Sequence, residues 1–227
     1  MAIQVQGNGG TILEVDGATF RAGRVTPRPT DHGSFGSFSY GGFTGILPAA
    51  LGAASEIFQF RWADASRLCL INEIKLSAAV STTMFAVGVP VQIDLVKATG
   101  WTIAGTGGTA ITPAATLKKR TSMASTLITA GDIRIATTAA LGAGTKTLEA
   151  AGANPLAALL AAGPITGSLS GIIIPTDTML FRAGVGDGQH PILLAQNEGI
   201  VIRSVAVPIT GTWMATVTID WTEVAAY

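Results

Sequence analysis

Charge is scarce in this chain. Asp, Glu, Lys and Arg together make up 12% of its 227 residues, and the formal net charge is zero, against about 25% charged residues in an ordinary soluble domain. A balanced, sparse charge excludes the basic face that nucleic-acid phosphates require; LKKR at 117–120 is the one basic cluster, and it reads as a solvated loop. A single cysteine, Cys69 in RLCLI, excludes an internal disulfide framework and reads as a small buried hydrophobe. Two histidines, His32 and His190, far apart in sequence, give no zinc spacing. Uninterrupted apolar runs are missing too. PLAALLAAGPITGSLSGIIIP (155–175) is charge-free, but Pro155, Pro164 and Pro175 and three glycines break it. LSAAVSTTMFAVGVPVQI (76–93) is broken by Gly88 and Pro90. Freed backbone groups have no partner in lipid, so neither is expected to span a membrane. MAIQVQGNGG at the start has no basic or apolar stretch of a secretory signal, and synthesis in a cytoplasm is expected.

What is present divides unequally. Residues 1–54 hold eleven of the 28 glycines with Pro27, Pro29 and Pro48, and read as an extended N-terminal arm. Arg24, Arg28, Phe35, Phe38, Tyr40 and Phe43 are its candidate interface residues, because spaced aromatics anchor an arm in a partner's grooves. The other reading folds the same residues onto the main domain as loops and edge strands. From residue 55 to 227 the pattern is β. In TWMATVTIDWTEV, Trp213, Ala215, Val217, Ile219 and Trp221 share one face and mostly polar residues the other, the mark of a half-buried antiparallel strand. SEIFQFRW, INEIKLSAAV, VPVQIDLVKA, DIRIAT, GIIIP, TMLFRA, PILLAQ and GIVIRSVAV are further strands, whereas PLAALLAA fits at most two helical turns. With dense turn sequences between them, these segments predict an all-β fold, an antiparallel β-sandwich of jelly-roll type.

Chemical motifs fail on context. GTGGTA (105–110) lacks the helix and downstream acid of a dinucleotide site, and GSLSG (167–171) has Leu169 where a nucleophile elbow needs Ser. QNEG (196–199) reads as a hairpin turn with Gly199 at positive φ, and Arg61, Asp64 and Arg67, set amid apolar residues, as the source of an Arg–Asp pair that fixes register. Asp177 and Asp187 read as turn caps rather than calcium ligands. No enzyme activity, cofactor or metal is expected. Trp62, Trp213 and Trp221 fall on core faces, which leaves Trp101, in ATGWTIAG, as a candidate exposed platform for a glycan.

SEIFQFRWADASRLCLINEIKLSA, DIRIATTAALGAGTKTLE and PILLAQNEGIVIRSVAVPITGTWMATVTIDWTEV together resemble a largely uncharacterised group of virion structural proteins of tailed bacteriophages. The resemblance covers residues 55–227, more loosely the arm, and implies a location in the virion after synthesis in the host cytoplasm. Low charge suits subunits that cover one another. The expectation is a capsid decoration (cement) protein, a homotrimer that binds the major capsid protein or other virion proteins through its arm and sandwich faces. A tail, baseplate or head-fibre component and a host-glycan-binding module stay open as alternatives.

Overall fold

A computed structural model describes residues 36–48, 51–52, 54–86, 90–113, 117–119, 124–149, 155–162, 171–183, 190–206 and 210–225. Arg24, Arg28 and Phe35 lie outside them. Thirteen strands run in chain order: β1 Ser37–Phe43, β2 Leu47–Pro48, β3 Ser55–Trp62, β4 Leu68–Val80, β5 Pro90–Ile103, β6 Thr109–Ile111, β7 Ile133–Ile135, β8 Thr145–Leu148, β9 Ala157–Ala162, β10 Ile172–Arg182, β11 Ile192–Leu194, β12 Glu198–Ala206 and β13 Thr212–Val224.

Every pairing is antiparallel, and the strands form two sheets packed face to face. The first has the order β1-β13-β4-β10, with β11 also beside β4 and β2 beside β13. The second has the order β6-β7-β3-β12-β5-β8, with β9 also on β5. Taking β1, β3, β4, β5, β9, β10, β12 and β13 as principal strands, the first sheet holds the first, eighth, third and sixth of them. The second sheet holds the second, seventh, fourth and fifth. That is the jelly-roll order, two interlocked Greek keys, as the sequence pattern predicted.

The alternation of β13 accounts for the core. Trp213, Ala215, Val217, Ile219 and Trp221 are all buried and face the second sheet. Trp221 stacks on Phe38 of β1 with ring centroids 5.6 Å apart and meets the edge of Phe60 of β3 at 5.3 Å. Tyr40 stacks on Phe58 at 6.2 Å. Such offset and edge contacts suit the ring quadrupoles.

Several expectations need correction. First, the β domain does not begin at residue 55. Ser37–Phe43 is paired along its length with β13, from Ser37 opposite Thr222 to Phe43 opposite Thr216. The alternation of Phe38 and Tyr40 with Ser39 and Gly41 makes this an ordinary sheet strand despite its glycines. Second, PLAALLAA is not helical. Ala157–Ala162 pairs with β5, Leu159 opposite Ile93, because the edge of β5 offers the strand more than Ala and Leu gain from isolated helical turns. Third, QNEG is not a hairpin turn. It carries the chain from β11 in the first sheet to β12 in the second, and Asn197, not Gly199, takes the positive φ of 62°. Gly199 lies inside β12, where a Cβ would collide with the Phe60 carbonyl and come within 2.7 Å of the Trp101 ring. GIIIP and TMLFRA are one strand, β10, bent at Pro175 and Asp177 by shifts of register against β4.

Candidate functional site

Alternation along β1 separates the aromatics assigned to the arm. Phe38 and Tyr40 point into the sandwich and are core, whereas Phe43 points outward and is 70% exposed. Phe43 stands at the rim of an open groove of about 380 Å3 on the outer face of the first sheet. The neighbouring strands supply most of the lining, among them Thr216 and Met214 of β13, Ser77 and Ala79 of β4, and Ile172 of β10. These residues face one another across the sheet because Phe43 is opposite Thr216, Thr216 opposite Ser77, and Met214 opposite Ala79. The lining includes no ionisable side chain, so the groove offers apolar contact and hydroxyl hydrogen bonds.

The outer face of the second sheet is closed by the chain that follows β5. Trp101, the expected glycan platform, is 1% exposed and packs with Ala98, Val201 and Leu148. Its indole cannot present a stacking face to solvent. The Lys146 ammonium lies 4.4 Å from the ring centroid and 2.8 Å from Glu56 Oε2. Gln59 Nε2 donates to Glu56 and, at 3.1 Å, to the Gly142 carbonyl, while Leu141 N–H donates to the Glu56 carbonyl at 2.9 Å. Carboxylate, amine and amide are an enzyme-like trio, but the Lys146 and Glu56 side chains are only 2% and 9% exposed. Buried, and paired except for Gln59 Oε1, which accepts no hydrogen bond, they pin residues 141–146 to β3. A second pair, Arg203 with Asp94 at 3.5 Å, is buried beside it in adjacent strands.

Arg61 and Arg67 each meet an acid from a distant part of the chain. Arg61 Nε donates to Asp132 at 2.7 Å, Arg67 faces Glu223 at 3.5 Å, and Asp64 accepts from the Ser66 and Arg67 backbone N–H groups as a turn cap. Burial pushes the Glu223 carboxyl above its ordinary range, against the pull of hydrogen bonds from Thr126 and the Leu127 N–H and of the nearby Arg67 charge. Burial, reinforced by Glu223, also holds the Cys69 thiol well above its usual range, which makes it a poor nucleophile.

A raised carboxyl pKa means that the folded state binds the proton more tightly than the unfolded chain. The resulting stabilisation is complete below the unfolded value, 4.5, and is lost as pH rises through the higher folded value. Urea titrations of wild type and Glu223→Gln across that range are expected to show the wild type gaining stability relative to the variant as pH falls. A difference that stays constant with pH refutes the assignment.

Among the described residues, no group of three or more His, Cys, Asp and Glu side chains could hold a metal ion. Asp177 has a φ of 60° and lies 3.9 Å from Lys75, while His32, Asp187 and residues 167–170 lie outside the described residues. His190 is exposed, its Nδ1 2.8 Å from the Pro191 carbonyl. Lys119 of the basic cluster is held by Asp220 at 2.6 Å. No helix among the described residues is long and apolar enough to cross a membrane. The chain matches no protein-family model, no curated protein and no solved structure.

Sequence alternation put a mostly polar face of the last strand outward, the face from which Met214 and Thr216 line the groove, but it gave no sign of the groove itself. The Glu56–Lys146 pair escaped it, because its partners are 90 residues apart. One signal was available: in TKTL the period of two puts Lys146 on the same face as Leu148, an arrangement that points to a lysine turned inward.

Proposed function

We propose that the chain is a non-enzymatic structural protein of a tailed-phage particle, a capsid decoration (cement) protein. In this reading it self-associates, as a homotrimer, and binds capsid subunits through its arm and sandwich faces. The observation that carries the reading is the exposed, uncharged groove beside Phe43 on a jelly-roll frame, while the carboxylates Glu56, Asp94, Asp132 and Glu223 are buried in ion pairs. Such a surface adheres without doing chemistry. Jelly rolls serve viral capsids, lectins and other proteins alike, so the fold alone does not select among them. The glycan alternative loses its candidate stacking residue with the burial of Trp101.

Since Phe38 and Tyr40 belong to the core, the adhesive arm of this proposal is residues 1–35, with Arg24, Arg28 and Phe35. Several weak arms acting together give avidity that one lacks. Co-sedimentation with capsids assembled without this protein tests the reading. The full chain is expected to pellet with capsids, and the chain lacking residues 1–35 to remain in the supernatant. Absence of capsid binding, with retention on purified tails or on host glycan instead, overturns it.

A further inference from the structure

The buried trio on the outer face of the second sheet leaves one atom unsatisfied. Gln59 is 1% exposed, and it is enclosed together with the buried side chains of Glu56 and Lys146. Lys75, Lys97 and Lys119 also meet acids, but their side chains keep 32%, 25% and 43% exposure, so the burial of Lys146 sets it apart from them. Two nitrogens meet at one oxygen. Lys146 Nζ lies 2.8 Å from Glu56 Oε2, and Gln59 Nε2 donates to that same oxygen. Lys146 Nζ also donates to the Ala143 carbonyl, and Gln59 Nε2 to the Gly142 carbonyl. The Trp101 indole covers the amine.

Gly105 leaves space for the carboxamide: a Cβ there would collide with Gln59 Oε1 and come within 2.8 Å of its Cδ. Yet Gln59 Oε1, buried in that space, accepts no hydrogen bond. A buried amide that serves only to fix register satisfies its oxygen as well as its nitrogen, so this oxygen needs another explanation.

We infer that the chain cross-links itself here: Lys146 Nζ attacks the Gln59 carboxamide, forming an isopeptide bond and releasing ammonia. Glu56 is the proton carrier, because its Oε2 touches both the nitrogen that must lose protons and the nitrogen that must gain one. The Lys146 ammonium passes a proton to Glu56, and the free amine attacks Gln59 Cδ to form the Nζ–Cδ bond. Glu56 hands that proton to Nε2, the Cδ–Nε2 bond breaks, and ammonia leaves. The second Nζ proton then goes to Glu56. Ammonium, carboxylate and amide become amide, carboxylic acid and ammonia. No oxidant or reductant is consumed, and both buried charges, costly to desolvate, are gone. The new Glu56 O–H can donate to the oxygen that was left without a partner. An amine and an amide held together gain effective molarities of up to about 10⁵–10⁸ M, and a positioned acid–base group adds about 10²–10⁴-fold. The reaction happens once per chain, uses no outside substrate, and is independent of the decoration reading. Its product ties β8, the last strand of its sheet, to β3 by a covalent bond.

Intact mass of the purified full chain, followed by peptide mapping, tests this. Wild type is expected to be lighter than its sequence by one molecule of ammonia. Trypsin is expected to release a branched peptide that joins Gln59 to Lys146 and is uncleaved after Lys146. Mapping separates this from ammonia lost elsewhere, as by ring closure at Asn8 and Gly9. Lys146→Arg keeps the charge but offers no free amine, and it is expected to retain the ammonia. Glu56→Gln is expected to retain it too, with circular dichroism confirming the fold of both variants. A wild type that keeps its full mass after prolonged incubation in native buffer overturns the inference, as does ammonia loss without the branched peptide. A folded Glu56→Gln chain that cross-links as fully as wild type overturns the role given to Glu56. If a variant fails to fold, the wild-type mass and branched peptide decide alone. A chain without the bond that pellets with capsids sinks only this inference; a cross-linked chain that ignores capsids sinks only the decoration reading.

Discussion

Removal of residues 1–50 is expected to abolish the cooperative thermal transition, whereas removal of residues 1–35 leaves it within a few degrees of the full chain. The longer deletion strips β1 and β2 from the first sheet. With them go Phe38, Tyr40 and Leu47, all buried, and Trp221 and Phe58 each lose an aromatic neighbour. Truncating one buried aromatic costs about 3–5 kcal/mol, and a domain's whole stability is about 5–15 kcal/mol. Loss of three buried side chains, together with the backbone pairing of β1 to β13, therefore exceeds what the fold can absorb. Far-ultraviolet circular dichroism against temperature measures both deletions. A 1–50 deletion that melts like the full chain contradicts the placement of β1 in the sheet.

The second large effect concerns Arg203 and Asp94, neighbours across β12 and β5 with side chains 3% and 2% exposed. Replacing Asp94 with Leu leaves a buried guanidinium without its partner, and breaking such a pair costs about 3–5 kcal/mol. Replacing both, Asp94→Leu with Arg203→Met, removes the uncompensated charge and is expected to recover most of that loss. Urea midpoints of wild type, both single variants and the double variant close the cycle. Glu56 stands opposite Arg203 on the other flank, in β3. If Asp94→Leu costs less than about 1 kcal/mol, Arg203 has turned to Glu56 and the pairing described here is not the one that matters.

Elements whose stability comes from one alternating face were legible from sequence. β13 is the clearest, since Trp213 through Trp221 at every second position leave no other face to bury. Elements decided by a distant partner were not. Ala157–Ala162 has no period of its own and is a strand because β5 lies beside it. Asp177 and Pro175 look like a break between two strands, yet β4 holds both halves in one. Trp101 looked exposed because its neighbours are turn-formers, and the segment that covers it, Leu141–Leu148, arrives some forty residues later. The same limit explains the ion pairs. Arg61, Arg67, Lys146 and Arg203 all sit near acids in sequence or in register, but their partners Asp132, Glu223, Glu56 and Asp94 are 71 to 156 residues away. Of the groove, the outward polar face of β13 was readable; its meeting with Phe43 and Ile172 needed the strand order.

The central place of β13 in the first sheet has a consequence for biogenesis. This strand is flanked by β1 and β4, and it is synthesised long after either of them. Until it is made, the aromatic side chains of β1 and β3 have no Trp221 to pack against, and β1 waits for its partner in the sheet. Sequence-distant pairing of this kind folds slowly, in milliseconds to seconds, and leaves apolar strand edges open meanwhile. The first sheet therefore stays incomplete while everything between β1 and β13 is made, and in that interval its open edges depend on whatever in the cell shields unfinished β-strands.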